Sequence, residues 1–250
     1  MTVDSARLPK IGLIVPPAAG KIPDDGPMLY GERAQFMARG LALSEMSSAG
    51  YEAVIDSVAD QATSLAQAGA KVISLMGTSL SFYRGAAFNR RLSAAILDAT
   101  GLPATTMSSA VIRALHVSGV RRVAVATAYI DDVNHRLVGF LREEGIEVTA
   151  IKGLAMTDVI GVGTVTPAIL SALARAVFAE DRSAQGVLIS CGGLRTLDIL
   201  DPLETDLQVP IISSSPAGFW DVVRLAGIDP TVPGFGRLFR LSEGRTPAAR

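Results

Sequence analysis

The sequence predicts an α/β fold of two pseudo-symmetric halves, each a four-stranded parallel sheet flanked by helices, with the active site in the cleft between them. Short Val/Ile/Leu-rich segments alternate with helical segments, a pattern typical of parallel sheets. The stretch at 70–80 matches the stretch at 186–194, because each is an apolar run that stops at a small polar loop. The stretches at 101–109 and 208–216 match each other as well.

The first half contains four predicted strands, at residues 11–15, 40–43, 72–75 and 104–107. Helical periodicity predicts helices at residues 51–67, 86–99 and 108–116. Gly69 and Gly101 are expected to end the first two of these helices. Ser108 is expected to cap the third.

The second half repeats this order, with predicted strands at residues 122–126, 147–151, 187–190 and 210–213. Its predicted helices run from 131 or 132 to 144, from 167 to 180, from 197 to 206 and from 216 to 225. Pro167 fits the first turn of its helix. Asp131 or Asp132, and Ser214 or Ser215, are the expected caps of two others.

The boundary between the halves is predicted near Ser118, which gives one half at 1–118 and another at 119–226. The tail at 227–250 is expected to pack back on the first half. The stretch from Gly234 is expected to lie at the surface or to be disordered.

Composition excludes several classes of function. A net charge of -1 and a pI near 6.1 give no electrostatic basis for binding nucleic acid or an anionic membrane. Mean hydropathy is +0.37, yet no run approaches the roughly 18 apolar residues of a spanning helix. Residues 1–10 lack an apolar signal core, so a cytoplasmic protein is expected. We expect a monomer or small homo-oligomer that acts on a small molecule.

Cofactors and metals are not expected. The single cysteine excludes an internal disulfide and a thiolate-rich metal site. No His/Cys/Asp/Glu cluster, no Gly-x-Gly-x-x-Gly motif after a strand and no Walker-type loop is present. His116 and His135 lie on predicted helices and are expected to be solvated.

Cys191 is the strongest candidate for a functional residue. It follows a predicted buried strand and precedes Gly192-Gly193, at the strand end where ligands bind in open α/β sheets. Backbone N–H groups of such a loop can converge on an anion, and a thiol there can give or take a proton. The alternative is a structural cysteine that packs as a small buried apolar side chain.

Four loops are expected to meet in the cleft, at residues 16–20, 77–79, 127–129 and 191–193. None contains Lys, Arg or His, so their donors are hydroxyls and backbone N–H groups. Such neutral donors suit a carboxylate or an oxyanion. Thr78 and Ser79 could instead be helix caps, and Tyr129 could be an interface tyrosine.

These residues carry a resemblance to the aspartate/glutamate racemase superfamily, whose members place one cysteine on each half as acid and base. Here Cys191 is the second-half cysteine, and Gly77 occupies the matching first-half position. Within that superfamily the chain resembles the arylmalonate decarboxylase family. The motifs that carry this resemblance are residues 14–20, 74–89, 126–134, 190–194 and 213–221.

The resemblance implies cofactor-free loss of CO2 from a disubstituted malonate bearing an aryl or alkenyl group. One carboxylate would bind the Thr78, Ser79 and Tyr129 hydroxyls with the N–H groups of Cys191 and Gly192. Cys191 would then protonate one face of the enediolate. The substrate-binding positions implied are Pro17, Leu41, Gly77, Leu80, Val159, Val162 and Gly193. Val162 is smaller than the methionine that the family pattern leads us to expect.

Two other functions remain open from the sequence. The first is a cysteine-dependent racemase or maleate cis-trans isomerase of the same superfamily, which Gly77 disfavours because one acid/base cannot serve both faces of a carbon. The second is a non-catalytic protein that binds a carboxylate on the same scaffold.

Overall fold

Two parallel sheets with the same strand order organise the molecule, whose computed structural model describes residues 8–241. The first sheet has the order β2-β1-β3-β4 and consists of β1 (Lys10–Val15), β2 (Gln35–Gly40), β3 (Val72–Leu75) and β4 (Ala104–Thr106). The second has the order β6-β5-β7-β8 and consists of β5 (Arg122–Thr127), β6 (Glu147–Gly153), β7 (Gly186–Ser190) and β8 (Ile211–Ser213). The predicted fold class is therefore confirmed.

Helices connect the strands and cover the sheets. In the first half they are α1 (Asp25–Tyr30), α2 (Ser48–Val54), α3 (Val58–Gln67), α4 (Thr78–Phe82), α5 (Gly85–Thr100) and α6 (Met107–Val117). In the second they are α7 (Asp131–Glu143), α8 (Pro167–Glu180), α9 (Leu197–Leu207) and α10 (Ser214–Leu225). Strands β3 and β7 are buried along their whole length, as expected for strands that are covered on both faces. No helix within residues 8–241 is long and apolar enough to cross a membrane.

The predicted strand at 40–43 is wrong in position, because β2 ends at Gly40. Among residues 8–241, strand β2 pairs only with β1 and is mostly half-buried, so its sequence lacks the apolar run of a central strand. The apolar residues that suggested a strand follow it in a loop. In that loop Ala42 has a left-handed backbone with a φ of 57°.

The predicted helix at 51–67 is divided by a 3₁₀ turn at Ile55–Ser57. The Ser57 hydroxyl donates a hydrogen bond to the Val54 carbonyl at 2.7 Å, so a side chain competes here with the helical bonding pattern. Gly101 ends α5 in the predicted left-handed conformation, with a φ of 68°.

Three predicted caps differ from those in the structure. Thr106, not Ser108, caps α6 by accepting a hydrogen bond from the Ser109 N–H at 3.1 Å. Ile130 is the residue before α7, and the two predicted aspartates lie in its first turn, where their charge favours the helix dipole. Helix α10 begins at Ser214, directly after β8, with Ser213 at its cap position.

The segment after α10 packs against both halves. The Tyr30 hydroxyl donates to the Pro230 carbonyl at 2.8 Å, and the Arg237 N–H donates to the Glu204 carboxylate at 2.7 Å. Gly236, Leu238 and Phe239 are buried, so the expected surface position of the stretch from Gly234 is wrong for these residues, whereas Gly234 and Arg240 are exposed. Residues 242–250 lie outside the described part of the chain. The division of the halves near Ser118 stays a prediction.

Two glycines let the second half approach the first closely. A Cβ atom on Gly192 would lie 2.9 Å from the Met107 sulfur, and one on Gly218 would lie 3.1 Å from the Met76 sulfur. Both distances are shorter than ordinary van der Waals contact, so a side chain at either position would displace the methionine side chain that packs against it. The close approach brings the loops after β3 and β7 together.

Candidate active site

A cavity of about 540 Å³ opens at the carboxyl ends of the strands and is lined by residues of both halves. In each sheet the second strand lies on one side of the first, and the third strand lies on the other side. Ligands in open α/β sheets usually bind at this reversal of strand order, which here lies beside β3 and β7. Most of the predicted site residues line this cavity: Pro17, Gly77, Thr78, Ser79, Leu80, Val159, Cys191, Gly192 and Gly193. Leu41, Tyr129 and Val162 are not among its lining residues.

Cys191 immediately follows β7 and is only 5% exposed. Burial raises the pKa of its thiol to about 11, and the neighbouring N–H groups of Gly193 and Leu194 and the Tyr129 hydroxyl offset part of that rise. The thiol is therefore protonated near neutral pH, which suits a proton donor rather than a nucleophile. The Met46 sulfur, a weak acceptor 3.9 Å away, is the partner of this thiol.

Thr78 and Ser79 are the first two residues of α4, and both are buried at the cavity wall. Gly77 is the residue before this helix, so neither hydroxyl residue occupies the cap position. The Thr78 hydroxyl donates to the Met107 sulfur at 2.8 Å. A thioether is a weak acceptor that an anionic oxygen would readily replace.

Tyr129 lies behind the cavity wall, with its ring centroid 5.8 Å from that of Phe82. Its hydroxyl is 3.4 Å from the Ser190 hydroxyl, and it lies near Thr78 and Cys191. Burial raises the pKa of Tyr129 well above its ordinary value of 10. The phenol is therefore a neutral donor with a long contact to Ser190, and it lies near both the thiol and Thr78.

Tyr51 was missed in the sequence analysis, where it was part of a long helix. Its side chain is fully buried, and its hydroxyl has no hydrogen-bond partner among the described residues. Burial raises the pKa of Tyr51, and the neighbouring Ser79 hydroxyl opposes the rise. A second neutral phenol therefore lies at the same end of the cavity. Periodicity gave no signal for it, because a tyrosine is equally compatible with the core.

Leu41 is buried, but Leu43 and Met46 line the cavity in its place. Backbone alternation would put Leu41 and Leu43 on one face of a strand. The left-handed backbone at Ala42 breaks that alternation and separates the two side chains. Leu43 and Met46 had no signal in the sequence, because the position of Leu43 depends on the left-handed backbone at Ala42 and Met46 lies beyond the predicted strand at 40–43.

A loop of the second half crosses to this loop and completes the apolar wall. The Met46 N–H donates to the Thr157 carbonyl at 2.8 Å, and Glu45 forms an antiparallel bridge with Asp158. This contact places Val159 at the cavity. Val162 is buried beneath Gly193, where a Cβ atom would lie 2.8 Å from the valine side chain.

Charged residues flank the predicted loops and were missed in the sequence analysis. These five residues also line the cavity: Lys21, Asp24, Asp25, Arg195 and Asp198. Neither histidine lines the cavity: His135 is exposed, and His116 is only partly exposed, so its predicted solvation is incomplete. No group of three or more His, Cys, Asp or Glu side chains within residues 8–241 could hold a metal ion.

The sequence profile of arylmalonate decarboxylase matches residues 11–239. The chain belongs to the arylmalonate decarboxylase family. An arylmalonate decarboxylase of Bordetella bronchiseptica is 54% identical over 238 residues, which cover 95% of this chain and 99% of that protein. A maleate isomerase of Nocardia farcinica is 25% identical over 92% of this chain and 95% of its own length. The resemblance derived from the sequence is thus confirmed.

Solved structures of the arylmalonate decarboxylase family agree with this fold. A liganded double mutant of arylmalonate decarboxylase, with one glycine changed to cysteine and one cysteine to serine, superposes with a TM-score of 0.91 at 54% identity. That alignment covers 92% of this chain and 98% of the mutant. A maleate isomerase from Pseudomonas putida S16 has a TM-score of 0.87 at 21% identity over 93% of this chain and 98% of its own, which shows a shared fold.

Titration of the sole thiol is expected to follow its burial. Alkylation by iodoacetamide should rise with an apparent pKa of about 11 in the folded protein and about 9 in denaturant. Because the folded state holds this proton more tightly, the free energy of unfolding should fall as pH rises through that interval. Labelling at several pH values, followed by mass spectrometry, measures both curves. An apparent pKa of 9 or lower in the folded protein would contradict the buried, protonated thiol.

Proposed function

We propose that this protein removes CO2 from disubstituted malonates that bear an aryl or alkenyl group, without a cofactor, and that Cys191 protonates the resulting enediolate. Membership in the arylmalonate decarboxylase family supports an enzyme of the carboxy-lyase class. The observation that carries the residue assignments is the buried, protonated thiol in a cavity with one donor-rich end and apolar walls.

The donor-rich end would bind one carboxylate of the substrate. The hydroxyls of Thr78, Tyr129 and Tyr51 are neutral and have, respectively, a weak, a long and no hydrogen-bond partner among the described residues. The Ser79 hydroxyl lies at the same cavity wall. Buried donors without good partners are rare in proteins, and an anionic ligand would satisfy them. The N–H groups of Cys191 and Gly192 complete this set in the proposal.

The other carboxylate would face the apolar wall formed by Pro17, Leu43, Met46, Leu80 and Val159. Poor solvation there favours its departure as neutral CO2. The bond between the α-carbon and this carboxylate breaks, and its electron pair remains on the substrate as an enediolate. The donors that bound the first carboxylate stabilise the charge that develops on its oxygens.

Protonation completes the reaction. The Cys191 thiol transfers its proton to the α-carbon, and solvent returns a proton to the thiolate. One thiol on one face gives one enantiomer of the monocarboxylate. Gly77, at the corresponding first-half position, has no acid, and this argues against racemase or isomerase activity.

We infer a cytoplasmic monomer or small homo-oligomer that acts on a small dicarboxylate and binds neither nucleic acid nor membranes. A formal net charge of -1 supports the absence of polyanionic partners.

The proposed reaction is tested with 2-methyl-2-phenylmalonate and chelator-treated protein. We expect one CO2 and one 2-phenylpropionate per substrate, with a single enantiomer in excess. Binding without CO2 release would indicate a carboxylate-binding protein. Conversion of maleate to fumarate, or interconversion of 2-phenylpropionate enantiomers, would indicate an isomerase or racemase. Activity that disappears on chelation and returns with one metal would contradict cofactor-free chemistry.

Removal of single oxyanion donors should lower activity more than stability. Tyr129→Phe keeps the ring against Phe82, and Thr78→Ala removes a small buried hydroxyl. Each is expected to lower kcat by on the order of 10²–10³-fold, the usual loss for one such donor. Thr78→Ser, which keeps the hydroxyl, should recover most of that loss. Steady-state kinetics with thermal melts measures both effects, and full activity in Tyr129→Phe and Thr78→Ala would place the anion elsewhere.

A further inference from the structure

The cavity extends beyond the space that a phenyl-substituted malonate requires. An apolar cavity of roughly 150 Å³ accommodates benzene, and this cavity measures about 540 Å³. Its remaining volume reaches the first residues of α1 and α10. These two helices pack closely, since a Cβ atom on Gly26 would lie 2.2 Å from the Phe219 ring.

A buried hydroxyl points to a polar ligand group in this part of the cavity. Ser215 is 1% exposed and lines the cavity, and its Oγ atom has no hydrogen-bond partner among the described residues. Asp25, the first residue of α1, lies beside it and lines the same space. The Ser215 hydroxyl is close to the Asp25 carboxyl but outside hydrogen-bonding geometry. A ligand donor that contacts the Asp25 carboxylate and the Ser215 oxygen together would satisfy both side chains.

Charged side chains of both signs surround Asp25. The acidic residues Asp24 and Asp198 and the basic residues Lys21 and Arg195 line the cavity with it. The Lys21 ammonium is 3.3 Å from the Asp24 carboxylate. Burial raises the pKa of Asp25 to about 6, the Ser215 hydroxyl and Arg195 oppose the rise, and Asp24 and Asp198 add to it. The Asp25 carboxyl is therefore mostly ionised at pH 8 and mostly neutral at pH 5.

We propose that Asp25 and Ser215 form a subsite that binds a hydrogen-bond-donating group, preferentially a primary ammonium, on the larger α-substituent of the substrate. This inference rests on the proposed decarboxylation, and it narrows the substrate class to malonates with an extended substituent that ends in such a donor. The ionised Asp25 would repel a carboxylate at this end of the cavity, whereas the neutral donors around Cys191 would bind one. One molecule then occupies both ends of the cavity in a single orientation.

Matched substrates test the subsite. The 3- and 4-(aminomethyl)phenyl derivatives of 2-methyl-2-phenylmalonate are compared with the corresponding ethylphenyl derivatives, which have the same shape without the ammonium. In the wild-type protein at pH 8, kcat/KM should favour one aminomethyl isomer by roughly tenfold, mainly through KM, as expected for one charge-assisted hydrogen bond. At pH 5 the ratio of kcat/KM between the aminomethyl and ethyl substrates should fall toward one, because Asp25 takes up a proton.

Variants assign the preference to these side chains. Asp25→Asn should bring the ratio between aminomethyl and ethyl substrates close to one, and Ser215→Ala should reduce it. Asp60→Asn makes the same change on an exposed position of α3, away from the cavity, and should leave the ratio at its wild-type value. A ratio of one in the wild-type protein, or an unchanged ratio in Asp25→Asn, would overturn the subsite.

A structural role for Asp25 and failure of the proposed reaction give different results. If Asp25 only supports the packing of α1 on α10, Asp25→Asn lowers the melting temperature and keeps the ratio. If Asp25→Asn does not fold, the subsite is tested by Ser215→Ala and by the pH dependence of the ratio in the wild-type protein. An unchanged ratio in both would overturn it. If no malonate is turned over, the proposed function fails. Calorimetric binding of the aminomethyl and ethyl 2-phenylpropionates then tests the subsite, and equal affinities overturn it.

Discussion

Cys191→Ala is expected to lower kcat by roughly 10²–10⁴-fold, the range for loss of a positioned general acid, while the protein remains folded. The thiol is the only one in the chain, is held near 5% exposure, and keeps its proton at neutral pH because burial raises its pKa to about 11. Without it, an enediolate formed in the cavity would have to wait for a proton from water. The product of the slow residual reaction should also lose enantiomeric purity.

Two measurements separate this chemical role from a structural one. Thermal unfolding should show a loss of only about 1 kcal/mol, as for an ordinary small change in a core. Cys191→Ser retains the shape of the side chain but replaces the thiol with a much weaker acid, so it should be nearly as inactive as Cys191→Ala. Wild-type turnover in both variants would make Cys191 a packing residue and would remove the proposed proton donor.

The central strands were predictable because burial on both faces leaves a clear trace in the sequence. Strands β3 and β7 are short, mostly apolar runs that stop at Gly77 and Cys191, and the structure has them within one residue of the predicted bounds. Strand β2 pairs on one side only, so half-exposed residues such as Arg39 interrupt its pattern. Edge strands of this kind are fixed by their neighbour rather than by their own periodicity.

Helix starts were less predictable where a strand leads directly into a helix. Helix α6 follows Thr105-Thr106, and α10 follows Ser213 and begins with two further serines. Each of these hydroxyl residues can cap a helix in isolation. The choice depends on where the sheet pairing ends, which is a long-range property of the fold.

The donor-rich end of the cavity was predicted because parallel strands bring their carboxyl ends to one edge. The loops after β3 and β7 therefore meet, and Thr78, Ser79 and Cys191 line one cavity. Leu43, Met46 and Asp25 come from segments without a regular pattern. They are positioned by a left-handed residue, a bridge between loops and helix packing, none of which local periodicity encodes.

Gly77→Cys is expected to give the protein a second acid/base and thereby a racemase activity that the wild type lacks. Gly77 lines the cavity at the end of β3, as Cys191 does at the end of β7. The glycine and cysteine exchanged in the solved double mutant are separated by the same number of residues as Gly77 and Cys191. Thiols at both positions would face opposite sides of the reacting carbon.

The variant should therefore protonate the enediolate from either face. From prochiral 2-methyl-2-phenylmalonate, the wild type should give one enantiomer of 2-phenylpropionate and leave it unchanged, whereas Gly77→Cys should give product of lower enantiomeric purity. A bound enantiomer could also lose its α-proton to one thiolate and regain it from the other thiol, which yields slow racemisation. Chiral chromatography of the product, and of each purified enantiomer after incubation, measures both effects.

Steric strain at position 77 needs its own control, because a Cβ atom there would lie 3.2 Å from the Leu80 Cβ and 3.2 Å from the Pro16 ring. Gly77→Ala introduces the same atom without a thiol, so it shares any loss of stability or turnover with Gly77→Cys. Only the cysteine variant should racemise. If Gly77→Cys is folded, active and still fully enantioselective, position 77 does not face the reacting carbon, and the correspondence between the two halves does not extend to their chemistry.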